Sequence, residues 1–127
     1  MAQSVRILVV EDEPLLQRML GAALKSRGYR VEVCGDGQEA IKWIEAVTFN
    51  LVITDFRMPR MTGIMLIQTL WDQPRRIPVI LMSSNTLEEL GLKPQDLPGV
   101  EFLRKPFGLT DLFAAIERAL KPPKAPG

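Results

Sequence analysis

Apolar runs too short to be helices alternate along this chain with apolar stripes at helical spacing. That alternation restricts the fold more than any other feature. Val5–Val10 and Val79–Met82 read as buried parallel strands, Leu51–Thr54 behind Phe49 as a third, and Val31–Val33 and Val100–Leu103 as two more. Between them, Leu15, Leu16, Met19, Leu20, Ala23 and Leu24 recur at helical spacing after Glu13-Pro14, where proline suits a first turn, and Gly28 stops the helix. Ala40, Ile41, Ile44 and Val47 form a second stripe. Ile64, Leu66, Ile67, Leu70 and Trp71, opened by Thr62-Gly63, form a third, and Leu109, Leu112, Phe113, Ile116 and Leu120 the last. Strands alternating with helices at this pitch predict right-handed crossovers and a five-stranded parallel sheet covered on both faces.

The fourth crossover, Ser84–Gly99, breaks the pattern. Asn85 or Thr86 can cap a short helix through Glu88 or Glu89, but Pro94 and Pro98 forbid one continuous helix. A short or distorted helix is expected there. Residues 1–121 are expected to form one domain, followed by a proline-rich tail or linker start over 122–127.

Composition excludes several chemistries. The chain has no histidine, so it cannot be a phosphohistidine carrier, carry a Ser-His-Asp triad or bind zinc through imidazole. A single cysteine, Cys34, permits no internal disulfide. A net charge of +1 supplies no bulk electrostatic reason to bind nucleic acid. No apolar window is long enough to span a bilayer, and the start lacks a secretory signal, so a cytoplasmic protein is expected.

In an open parallel sheet, ligands bind outside the carboxyl ends of the strands, so the residues at each strand exit carry the information. Glu11 and Asp12 follow the first strand, Asp55 the third, Ser83 and Ser84 the fourth, and Lys105-Pro106-Phe107 the fifth. Three carboxylates held together repel one another, and a hard divalent cation on oxygen ligands, magnesium above all, relieves that repulsion. With the cation present, Asp55 can act as an anionic nucleophile toward a phosphoryl group. Magnesium, Lys105 and the Ser83 hydroxyl can then share its three equatorial oxygens. Each piece alone is common; their joint order and placement at strand ends make the signal.

The segments Val9-Val10-Glu11-Asp12-Glu13-Pro14, Asp55-Phe56-Arg57-Met58-Pro59 with Gly63, Pro78-Val79-Ile80-Leu81-Met82-Ser83-Ser84 and Lys105-Pro106-Phe107 resemble the ordered motifs of the receiver family of two-component signalling. The resemblance runs from about Val5 to Leu120. It implies a flavodoxin-like (βα)5 fold with strand order 2-1-3-4-5. It further implies that Asp55 takes a phosphoryl group from the phosphohistidine of a sensor histidine kinase or phosphotransfer protein, or from a small phosphodonor. By position, Asp12 and Asp55 would ligate magnesium, the Arg57 carbonyl would add a ligand, and Glu11 would act through water. Ser83 and Lys105 would contact the phosphoryl group. Pro59 and Gly63 would shape the loop after the acceptor, and Phe102 falls where the family keeps a switch aromatic. Arg57 and Asn85 fall where residues flank the attacking water and so bear on phosphate lifetime.

The chain departs from the family at several of these places. Glu11 replaces the commoner aspartate, and Thr62, in place of an aspartate, can still cap the third helix. Phe102 lacks the hydroxyl of a tyrosine, so a switch there would work by packing alone. The altered fourth crossover means that a family dimer mode is not carried over. Two alternatives stand beside the phosphoacceptor reading. One is a receiver fold that signals by binding without phosphate. The other is an aspartyl-nucleophile phosphatase, which needs an acid two residues after the nucleophile, where this chain has Arg57. A C-terminal output domain in a longer parent is compatible with either signalling reading.

Overall fold

In the computed structural model, which describes residues 4–58, 61–73 and 76–121, five strands form one parallel sheet. In chain order they are β1 (Arg6–Val10), β2 (Arg30–Cys34), β3 (Leu51–Asp55), β4 (Val79–Ser83) and β5 (Val100–Arg104), and their spatial order is β2-β1-β3-β4-β5. The helices are α1 (Pro14–Ser26), α2 (Gly37–Ala46), α3 (Gly63–Trp71) and α4 (Leu109–Leu120). The expected fold and strand order are therefore observed.

The near-continuous apolar runs of β1, β3 and β4 are explained by burial on both faces. Leu8, Val10, Val52, Val79 and Leu81 point to one core, with Leu66, Ile67 and Leu70 of α3 and Ala40 of α2. Ile7, Val9, Ile53 and Ile80 point to the other, with Leu20 and Leu24 of α1 and Leu112 and Ile116 of α4. Successive strand residues thus feed opposite cores, as the period of two requires.

The strands β3, β4 and β5 run one residue past their apolar stretches, because a backbone ladder does not need an apolar side chain to continue. Asp55 pairs with Met82, and Ser83 with Arg104. Asp55 and Ser83 are therefore the last residues of their strands rather than the first of the loops. At the other end, Val5 falls just outside β1 and packs against the second core.

The fourth crossover contains no α-helix. Thr86 and Glu89 do form the reciprocal cap: Glu89 N donates to Thr86 Oγ1 at 3.1 Å and Thr86 N donates to Glu89 Oε1 at 2.9 Å. The cap residue is thus Thr86 and not Asn85. A single turn follows, Gly91 adopts φ +72° and diverts the chain, and Pro94–Asp96 make one turn of 3-10 helix. Leu87, Leu92 and Leu97 still cover the first core from this segment.

Cys34 is buried at the end of β2, where burial pushes its thiol up to about 12. Met58 and Met61 pack against the first core, while Met65 is exposed. Pro59 and the expected tail 122–127 lie outside the described residues. Among the described residues, no helix is long and apolar enough to cross a membrane.

Candidate functional site

The carboxyl ends of β1, β3 and β5 bring Glu11, Asp12, Asp55 and Lys105 together. Glu11 follows β1 directly, and its N–H donates to Cys34 O of β2 at 3.0 Å, as if the ladder continued. Asp12 is exposed one residue on, and Asp55 closes β3 half-buried. One carboxylate oxygen from each of Glu11, Asp12 and Asp55 falls within 4.8 Å of the others.

Lys105, the residue after β5, reaches back to this group. Its Nζ lies 2.7 Å from Glu11 Oε1 and 3.2 Å from Asp55 Oδ2. The backbone fixes its root, because Lys105 N donates to Ser83 O at 2.8 Å. The Lys105-Pro106 peptide is cis. The two acids differ in environment: the Glu11 side chain is 1% exposed and that of Asp55 13%. Burial raises the Glu11 pKa above the usual carboxylate range, against the opposing hydrogen bonds from Lys105 and Glu13. Burial alone would lower the Lys105 pKa, but the hydrogen bond to Glu11 and the charge of Asp55 more than offset it, and the net shift is upward. Lys105 therefore stays an ammonium ion.

Two supports of this cluster were not read from the sequence. Glu13 is the third acid in the run after β1, yet its carboxylate caps α1, accepting from Leu16 N at 2.6 Å and Leu15 N at 3.2 Å. Its own N–H donates to Glu11 Oε2 at 3.0 Å, so both Glu11 oxygens are held. The second support is Gln17, whose side-chain amide donates to the Glu11 carbonyl. A sequence signal for Gln17 exists: it lies one turn before Leu20, Gly21 and Leu24, on the face of α1 that is otherwise buried and apolar.

Ser83, the last residue of β4, is buried, and its Oγ accepts from Asn85 N at 3.0 Å. The hydroxyl hydrogen is left free to be directed elsewhere. Arg57 is exposed two residues past Asp55. Phe102 is a half-buried residue of β5 packed on the first core. Gly63 has a strict steric role: a Cβ there would lie 2.6 Å from Asp55 O and 3.0 Å from Phe56 Cα, and Gly63 N donates to Phe56 O at 2.8 Å. Only glycine lets the start of α3, capped by Thr62, close on the end of β3.

The donor set fits a hard cation. Three carboxylates and one ammonium leave an excess of negative charge at a single strand edge, and all available side-chain ligands are oxygen. Glu11, Asp12 and Asp55 are the residues that can hold it.

Comparison with known proteins agrees with this geometry. The response regulator receiver domain model matches residues 7–117. The chain is 35% identical over 118 residues to the transcriptional activator protein PfeR of Pseudomonas aeruginosa, covering 93% of this chain and 38% of PfeR. It is 35% identical over 116 residues to the transcriptional regulatory protein PdtaR of Mycobacterium tuberculosis, covering 91% of this chain and 56% of PdtaR. This chain thus spans about half or less of these relatives. Among solved structures it superposes on the chemotaxis response regulator CheY4 of Vibrio cholerae with a TM-score of 0.85 at 27% identity, covering 93% of this chain and 100% of that one. The receiver domain of sensor histidine kinase PA1611 from Pseudomonas aeruginosa, solved with magnesium coordinated in its active-site cleft, gives a TM-score of 0.82 at 30% identity over 93% of this chain and 98% of that one. With a parallel sheet in the order 2-1-3-4-5, acids gathered at its carboxyl edge and a family match over nearly its whole length, this chain belongs to the receiver-domain family of two-component response regulators.

Proposed function

We propose that this domain takes a phosphoryl group onto Asp55 in a magnesium-dependent reaction and thereby switches its interactions with partners. The reading rests above all on one observation: Lys105 Nζ sits 3.2 Å from Asp55 Oδ2 inside a cluster whose three acids come within 4.8 Å of one another. A carboxylate oxygen of Asp55 forms the new bond to phosphorus as the donor's P–N bond, in a phosphohistidine, or P–O bond, in an acyl phosphate, breaks. The electron pair leaves with the donor. Magnesium bound by Asp12, Asp55 and the Arg57 carbonyl, with Glu11 acting through water, would neutralise the crowded acids and part of the phosphoryl charge.

The chain's own groups do the rest. Lys105 lies where it can move from Asp55 Oδ2 to an equatorial phosphoryl oxygen, keeping a positive charge against the developing negative one. The Ser83 hydroxyl, which accepts from Asn85 N, can donate its hydrogen to another of those oxygens. Arg57, exposed beside the acceptor, and Asn85 are assigned to phosphate lifetime, and Phe102 to a switch by packing.

The donor is a sensor histidine kinase or phosphotransfer protein, in the cytoplasm. A crevice of about 400 Å³ beside Lys105, lined by Leu16, Met19, Ser84, Pro106 and Phe107, offers apolar surface to such a partner next to the acceptor. In a longer parent protein, an output domain would read the change. Incubation with magnesium and acetyl phosphate, followed by intact-mass measurement, tests the reading. One added phosphoryl group, absent when the metal is chelated, is expected. No addition would favour a domain that signals by binding alone, and steady phosphate release from monoesters would favour a phosphatase.

A further inference from the structure

We propose that Gln17 is a positioning residue for the cation site: its side-chain amide fixes the Glu11–Asp12 peptide, and so sets how tightly the acids hold magnesium. The inference rests on the reading that Glu11, Asp12 and Asp55 hold magnesium, and goes beyond it by naming a residue that touches neither metal nor phosphate.

The reason lies in how β1 ends. Glu11 N still finds a ladder partner in Cys34 O, but β2 stops at Cys34 and the chain turns away through Gly35. The Glu11 carbonyl takes its hydrogen bond from the Gln17 side chain, which lies against Gly35, where an added Cβ would come 3.8 Å from Gln17 Nε2. That carbonyl belongs to the peptide joining the two acids. Its orientation bears on how the buried Glu11, bonded to Lys105, and the exposed Asp12 bring their carboxylates together. A peptide free to rotate would let the two carboxylates separate, and a cation would have to restore the geometry on binding.

Gln17 can serve as an anchor because it is itself fixed. It sits in the first turns of α1, its own N–H donates to Glu13 O at 3.0 Å, and Glu13 caps the helix while its N–H holds Glu11 Oε2. Glu11, Glu13 and Gln17 thus close a ring of hydrogen bonds through the helix start. A glutamine on the face that continues as Leu20, Gly21 and Leu24 has no packing advantage over an apolar residue; its use is the hydrogen bond.

The test is the magnesium dissociation constant of the apo domain by titration calorimetry, for the wild type, Gln17→Met and Ser26→Ala. Methionine keeps the length and loses the donor. Ser26→Ala removes the bond from Ser26 Oγ to Ala23 O at the far end of α1 and controls for a loosened helix. Gln17→Met is expected to raise the dissociation constant about tenfold and shift the Asp12 amide resonance, with Ser26→Ala unchanged. A wild-type constant in Gln17→Met overturns the inference, as does an equal rise in Ser26→Ala. If Gln17→Met does not fold, the wild type decides: slowly exchanging Gln17 side-chain amide protons support the proposal, and freely exchanging ones overturn it. A wild type that binds no magnesium removes the metal reading itself, an outcome distinct from both.

Discussion

The first and fourth crossovers begin alike and end differently. Each leaves the carboxyl edge of the sheet and opens on a side-chain cap: Glu13 accepts from Leu15 N and Leu16 N, and Thr86 and Glu89 cap each other. The first then runs for 13 residues as α1, with Leu20 and Leu24 buried. The fourth closes one turn and is diverted at Gly91, with Pro94 barring its renewal. A cap satisfies the first backbone donors but does not propagate a helix; an unbroken apolar face does. The consequence reaches the site. Glu11 and Asp12 lead into a packed helix, whereas Ser83 and Asn85 lead into a segment of two short turns that covers the core through Leu87, Leu92 and Leu97.

Core truncation should expose that contrast most. Leu24→Ala, removing a fully buried side chain of α1, should cost about 2–5 kcal/mol. Leu90→Ala, at a half-buried position of the fourth crossover, should cost roughly 1 kcal/mol or less by urea denaturation. Equal losses would mean that the fourth crossover is as firmly packed as the first. Hydrogen exchange should sharpen the same point without mutation. The amides of Leu20–Leu24 should open close to globally, and those of Leu90 and Leu92 about a hundredfold faster. Matching protection in the two segments would contradict the account. The smallest effect is expected at the caps. Glu13→Ala should lose about 1 kcal/mol and Thr86→Ala only a few tenths, because the second cap supports one turn rather than a helix.

Much of this architecture can be read from residue order alone. The apolar runs of β1, β3 and β4 and the stripes of α1 to α4 give the parallel sheet, and the strand exits give the acids, Ser83 and Lys105. Strand ends are less legible, because Asp55, Ser83 and Arg104 are polar residues that extend a ladder set by backbone pairing. The Thr86–Glu89 cap is readable too, and yet no helix follows, since glycine and proline further along outweigh it. The bond from Lys105 to Glu11 joins residues 94 positions apart and belongs to the sheet order, not to any spacing. Glu13 is half hidden by its neighbours: Pro14 at the first helical position marks it as the residue before the helix, but in a run of three acids the sequence does not tell that its carboxylate turns to the cap rather than to the cluster. Gln17 left a sign, a polar residue on an apolar face, whose meaning depends on a carbonyl that only the fold brings near.

On the proposed function, the gathered charges make Asp55 the acceptor. Borohydride trapping after incubation with magnesium and phosphoramidate, followed by peptide mapping, tests it at the residue itself. Reduction should convert one aspartate to homoserine, at position 55, and neither chelated protein nor Asp55→Asn should be labelled. Homoserine at Asp12 or elsewhere, or equal labelling of Asp55→Asn, would contradict the account.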